Sequence, residues 1–216
     1  MTKLSFSQEL VRKAVHYMML LVVLGYLIFS KFIGHKTALF ALVLLLIVMI
    51  GLEYIRINHR IKLPLFSWIW KTVRRDKEKK HIGSEIFFML STVICFAAFD
   101  ERIALAAILM TTFGDPAACF IGRQFGRIWI LKDRALEGIA AEFAVNVLVG
   151  FLFLRSVLWW SIPALPSGQI IWPAVFVMAF FATLVETFAG KIDDNLLIPL
   201  FAGAAGQAVL FMMSMA

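Results

Sequence analysis

The sequence predicts an all-α protein, a polytopic membrane bundle of about seven transmembrane helices with its N-terminus in the cytoplasm. Three observations predict it. Hydrophobic residues make up 62% of the 216 positions and mean hydropathy is +0.88, more apolar surface than a soluble core of this size can hide. Apolar runs of near-bilayer length alternate with short polar breaks. Seventeen of the 21 lysines and arginines fall in alternate breaks, the asymmetry that marks the cytoplasmic side.

The elements follow in order. Span one, Tyr17 to Phe32, comes after a polar stretch with no small-residue cleavage site, so it is expected to stay as a helix. Span two, Thr37 to Leu52, is short. The loop 53–82 is the main polar excursion: its first part mixes aromatics and cations as an in-plane membrane helix does, and Arg74 to His81 is a solvated charge run. Spans three to seven run from Gly83 to Phe99, Ile103 to Ile121, Gly138 to Leu154, Ile170 to Val185 and Leu196 to Met213. Gly114 and Pro116 are expected to loosen the end of span four. No linker or repeat divides the chain, so residues 1–216 read as one integral-membrane domain.

Charge supplies both topology and exclusions. Twelve of the 14 carboxylates lie on or near the cytoplasmic side, leaving only Asp100 and Glu101 outside, while Trp159, Trp160 and Trp172 contribute to an outer aromatic belt. The net charge of +7 reflects positive-inside bias plus anionic ligands, and nucleic acid is not an expected partner. Cys95 and Cys119 have no redox or ligand spacing, and the four histidines form no zinc motif. The expected location is the plasma membrane of a prokaryote, with the active end facing the cytoplasm.

Three constellations carry chemistry. Glu9, Arg12, Lys13 and His16 share one helical face, where cations can hold phosphate oxygens and His16 can accept a proton. Around Gly114-Asp115-Pro116, small residues are followed by Arg123, Gly126, Arg127, Lys132, Arg134, Glu137 and Gly138, placing cations beside acids. Glu186 precedes Asp193-Asp194-Asn195, adjacent hard-oxygen donors suited to Mg²⁺ with a phosphorylated substrate. Glu85, Asp115, Glu142 and Glu186 lie near the inner ends of their helices, at the depth of a cytoplasm-facing site. Interhelical pairing accounts equally well for Glu85 or Glu142 taken singly.

The set Glu9-x-x-Arg-Lys-x-x-His16, Gly114-Asp-x-x-Ala-x-x-x-Gly-x-x-Phe-Gly126, Glu137-Gly138, and Glu186 with Asp193-Asp-Asn-Leu-x-Ile-Pro199 resembles the CTP-dependent lipid kinase family of dolichol, phytol and yeast-type diacylglycerol kinases. The resemblance spans nearly the whole chain. It implies transfer of the γ-phosphoryl group of CTP to the hydroxyl of a lipid alcohol in the bilayer. On that basis Asp115, Asp193 and Asp194 are expected on Mg²⁺, with Asn195 orienting them. Arg12, Lys13, Gly114, Arg123, Gly126, Arg127, Lys132, Arg134, Glu137 and Gly138 are expected around the nucleotide. His16, Glu186 and Asp194 are expected in catalysis, with His16 or Glu186 as base. One departure stands out: where the family usually carries Lys-Ser/Thr-x-Glu-Gly-Ser, this chain has Arg134-Ala-Leu-Glu-Gly-Ile139, which predicts looser nucleotide discrimination. Two other classes stay open on the residues alone, a membrane cytidylyltransferase that makes a CDP-lipid and a transporter or anionic-lipid-binding protein.

Overall fold

A computed structural model describes residues 6–59, 82–131, 134–155, 171–189 and 192–215. Among them are seven helices: α1 (Phe6–Ile33), α2 (His35–His59), α3 (Ser84–Ala98), α4 (Glu101–Phe125), α5 (Leu136–Leu154), α6 (Trp172–Phe188) and α7 (Asp194–Met215), with strands β1 (Trp129–Leu131) and β2 (Arg134–Ala135) between α4 and α5. By length and composition α4, α5, α7 and most of α2 can cross a bilayer, and α3, α6 and the part of α1 from Met18 to Ile33 are shorter apolar helices. A multi-pass helical membrane protein results, because only helices or closed barrels satisfy every backbone polar group in lipid.

The chain forms two compact units, Met1–Leu90 and Ser91–Ala216. In the first, α1 and α2 pack as a hairpin. Its turn is Gly34, whose φ of +94° is open to glycine at little cost. Beside the turn the Tyr26 hydroxyl and the His35 Nδ1 lie 2.6 Å apart. At the other end of α2, the buried carboxylate of Glu53 accepts two bonds from Arg56, at 2.7 and 2.8 Å, and one from the Gly83 backbone N–H at 2.9 Å. A buried acid thereby has its partners, and residue 83 is tied back to α2.

In the second unit α4 packs against α5, α6 and α7, α5 against α6, and α6 against α7. Helix α4 is the core: 67% of its most apolar window is buried, and Arg102 to Thr112 is buried without interruption. Helix α6 buries Ala174, Val175, Met178, Ala179, Ala182, Thr183, Glu186 and Thr187, a single 3.6-period stripe that begins apolar and ends polar. Small residues set the closest approach. A Cβ at Gly138 of α5 would lie 2.6 Å from the Ala118 carbonyl of α4 and 3.0 Å from the Gly122 Cα, so the two backbones nearly touch.

The seven-span expectation matches these helices. The expected loosening at Gly114 and Pro116 does not occur. Helix α4 runs unbroken through both residues to Phe125, where Gly126 caps it. Neighbouring helices hold the segment in place, and lipid offers a broken turn no water. The hairpin β1–β2 was not anticipated; it pairs Trp129 with Ala135 and Leu131 with Arg134 antiparallel.

Candidate functional site

The site assembles at one end of the second unit, where the C-terminal part of α4, the start of α5, the end of α6 and the start of α7 converge. Local chemistry places each side chain. On α5, Gly138, Glu142 and Asn146 recur every four residues and are all buried, so the stripe that touches α4 carries an acid and an amide. On α6 the buried stripe ends in Thr183, Glu186 and Thr187, and the Thr187 hydroxyl donates to the Thr183 carbonyl at 2.8 Å. The Asn146 amide donates to the Thr183 hydroxyl at 3.2 Å, joining α5 to α6. Gly114 supplies the space: a Cβ there would lie 2.5 Å from the Asn146 Oδ1.

The hairpin delivers the cation. The Glu137 carboxylate accepts the backbone N–H groups of Arg127 and Ile128 at 3.0 and 3.3 Å, and the Leu136 N–H donates to the Ile128 carbonyl at 2.8 Å. This folds the loop onto the first turn of α5. Arg134 on β2 then forms an ion pair with the fully enclosed carboxylate of Glu186. Burial works against the charge of Arg134, but Glu186, with Asp115 and Glu142 further off, outweighs it and holds the pKa above the ordinary guanidinium value.

Negative charge accumulates around that cation. Glu186 interacts electrostatically with Asp115 and Asp194 as well as Arg134, and Glu142 with Glu186, Arg134 and Asp115. Neither Glu186 oxygen takes a well-directed hydrogen bond. At the start of α7 the Asn195 backbone N–H reaches the Asp193 Oδ1 at 3.0 Å and the Asp194 Oδ1 at 2.9 Å, and the Asn195 side-chain amide also reaches Asp193, at 2.9 Å. The Asn195 carbonyl accepts the Ser91 hydroxyl at 2.9 Å, which fixes this turn against the middle of α3.

Placing each expected residue gives a mixed outcome. Asp115, Arg134, Glu186 and Asp194 come together. Asn195 donates hydrogen bonds to both neighbouring aspartates. Arg134 and Glu186, expected on the phosphates and on proton transfer, meet each other. Gly114 and Gly138 sit at helix contacts, while Glu137 pins the loop backbone. Gln124, Phe125, Gly126, Arg127 and Glu137 line an open recess of about 410 Å³. Arg123 is exposed on the last turn of α4. The side chains of Arg12, Lys13 and His16, and Lys132, lie outside the described residues.

Asn146 and Thr183 were missed as site residues. Their signal was legible: a four-residue polar repeat, Gly138-Glu142-Asn146, inside an otherwise apolar helix.

Comparison with known proteins gives distant similarity over most of the chain. The CTP-dependent diacylglycerol kinase 1 of Saccharomyces cerevisiae is 24% identical over 225 aligned positions, covering 94% of this chain and 74% of the yeast protein. The protein of the same name from Schizosaccharomyces pombe is 26% identical over 65% of this chain and 68% of its own length. A probable chloroplastic phytol kinase of Triticum aestivum is 28% identical over 60% of this chain and 45% of its own length. No protein-family model matches the chain, and no solved structure matches it. The chain is a distant homologue of proteins named as lipid kinases.

Proposed function

We propose that this chain is a membrane lipid kinase that moves the γ-phosphoryl group of CTP, or of another nucleoside triphosphate, to the hydroxyl of a lipid alcohol such as diacylglycerol or an isoprenoid alcohol. The observation that carries this is that Asp115, Glu142 and Glu186 gather around Arg134, with Asp194 beside Glu186, in a chain distantly similar to CTP-dependent kinases. Carboxyl groups brought by four helices to one place suit a cation carrying a polyphosphate.

The donor set fits Mg²⁺, because its oxygens are hard and the enclosed Glu186 carboxylate lacks a directed hydrogen bond. Among the described residues, no three acidic, His or Cys side chains already converge as a ligand set. Asp115, Asp194 and Glu186 would hold the ion, with Asp193 beside them; when bound, it neutralises triphosphate oxygens. Arg127 lines the recess and would meet nucleotide phosphates there, and Arg123 is exposed on the last turn of α4.

In the reaction the acceptor oxygen bonds to the γ-phosphorus and the bond from that phosphorus to the β–γ bridging oxygen breaks, releasing CDP. The alcohol proton passes to His16 or to a carboxylate of the cluster; a loose transition state demands little base strength. The basic-residue count supports a cytoplasmic position for this end of the bundle, where nucleotide is available.

Purified protein with CTP labelled on the γ-phosphate and a panel of lipid alcohols tests the proposal. Labelled lipid phosphate with release of CDP is expected. Pyrophosphate with a CDP-lipid would assign a cytidylyltransferase, and lipid binding without turnover would assign a carrier or binding protein.

A further inference from the structure

The geometry points to a second anion site at the far end of α4, where the enclosed guanidinium of Arg102 binds the phosphate of a phospholipid headgroup. Arg102 is 4% exposed, and its Nε and Nη1 are enclosed without any hydrogen-bond acceptor. Asp100 is within electrostatic reach, but its carboxylate is engaged as the helix cap, accepting the backbone N–H of Arg102 at 3.0 Å. The Asp100 backbone N–H is engaged too, donating to the Gln207 Oε1 of α7 at 2.7 Å.

Besides Asp100, Glu101 is the other carboxylate assigned to this side, and residues 156–170, which join α5 to α6, contain none. Among the described residues the two enclosed nitrogens meet no acceptor, a costly arrangement that an anion from outside the chain would offset. The N-terminus of α4 adds its own partial positive charge at the same place.

Position selects the source of that acceptor. Thirteen residues of continuous helix separate Arg102 from Asp115, about 20 Å at the α-helical rise. If the acidic cluster lies near one surface of a hydrocarbon core about 30 Å thick, Arg102 lies towards the opposite headgroup layer. A planar guanidinium matches two phosphate oxygens at once, and lipid phosphates occupy that layer at high local concentration. The site uses no residue of the acidic cluster and does not depend on the kinase proposal.

The test uses the full-length protein, purified in detergent and stripped of lipid. Phosphatidylglycerol, a phosphate-free glycolipid and inorganic phosphate are added separately, with thermal stability read from intrinsic tryptophan fluorescence and retained lipid read by native mass spectrometry. For the wild type we expect phosphatidylglycerol to raise the Tm by about 3 °C or more, the glycolipid to do little, and one phospholipid to stay bound per chain. Arg102→Met should be stable without lipid, lose that shift and retain no phospholipid. Arg102→Lys keeps the charge without the fork, stands in should the methionine variant not fold, and should lose at least half of the shift. An equal response to phosphatidylglycerol in the wild type and either variant would overturn the site, as would an equal response to the glycolipid. The full shift with inorganic phosphate alone would overturn the lipid source and assign a free-anion site.

Discussion

At one end of α4 the half-buried Asp115 shares its surroundings with Glu142, Glu186 and Asp194 around one cation, Arg134. At the other end, about 20 Å along the same helix, two enclosed nitrogens of the Arg102 guanidinium meet no acceptor among the described residues. Both ends bury charge in a chain whose spans are otherwise apolar, yet they err in opposite directions. The first gathers carboxyl groups from four helices, and the second has one guanidinium from a single residue. A stable membrane protein carries such imbalances only where something binds, because an unpaired charge within a span costs about 3 kcal/mol even by the lenient insertion scale. The larger imbalance, drawn from more elements, is the natural place for chemistry.

Several substitutions break or sharpen this contrast, beginning with the largest effect. Arg134→Met removes the one cation from the acidic end and should cost about 3–5 kcal/mol, a fall in Tm of about 10 °C or more. Unchanged melting in detergent would mean that the acids do not depend on Arg134. Next, Asp194→Asn or Glu186→Gln should lower phosphoryl transfer about 100-fold or more, close to 3 kcal/mol, with the protein still folded. Asp193→Asn should cost less, about tenfold, since Asp194, not Asp193, is the aspartate of α7 within electrostatic reach of Glu186. Equal rates for the three variants and the wild type at saturating Mg²⁺ would remove the acidic end from catalysis.

A packing substitution is expected to do less. Gly138→Ala sets a methyl group against the Ala118 carbonyl and should destabilise by about 1–3 kcal/mol, read as a lower melting temperature; wild-type stability would show that α4 and α5 can separate freely. The smallest effect belongs to Glu142→Gln, which removes one of four like charges while keeping a polar amide. Stability should change by about 1 kcal/mol or less, in the direction of gain. A marked loss would show that Glu142 is needed in its charged form by its neighbours.

Much of the fold was legible because membrane insertion acts on local runs. The seven spans, and the tendency of charges to gather at one end, follow from hydropathy and residue counts that need no knowledge of packing. Legibility failed where packing overrode local propensity. Gly114 and Pro116 read as a break, yet α4 continues through them, and Gly114 instead makes room for Asn146. The hairpin was hidden because β1 and β2 are only three and two residues long, too short for a period to show. In the site, Asp115, Glu186 and Asp194 could be picked out as intramembrane acids, while the role of Arg134 could not be, because its partner lies 52 positions away.

The sequence by itself determined that this is a multi-pass helical membrane protein, which acids fall at the ends of its apolar spans, and that phosphate and metal chemistry is the expected use of them. Each depends on the identity of a residue and its place along a span. Only the tertiary structure decided that Arg134 meets Glu186, that Asn146 meets Thr183 across Gly114, and that Arg102 meets no acceptor. Those pairings depend on how each helix is rotated about its axis and how closely its small residues let it approach its neighbours. Rotation and approach are settled by packing the whole bundle at once, and no single span encodes them.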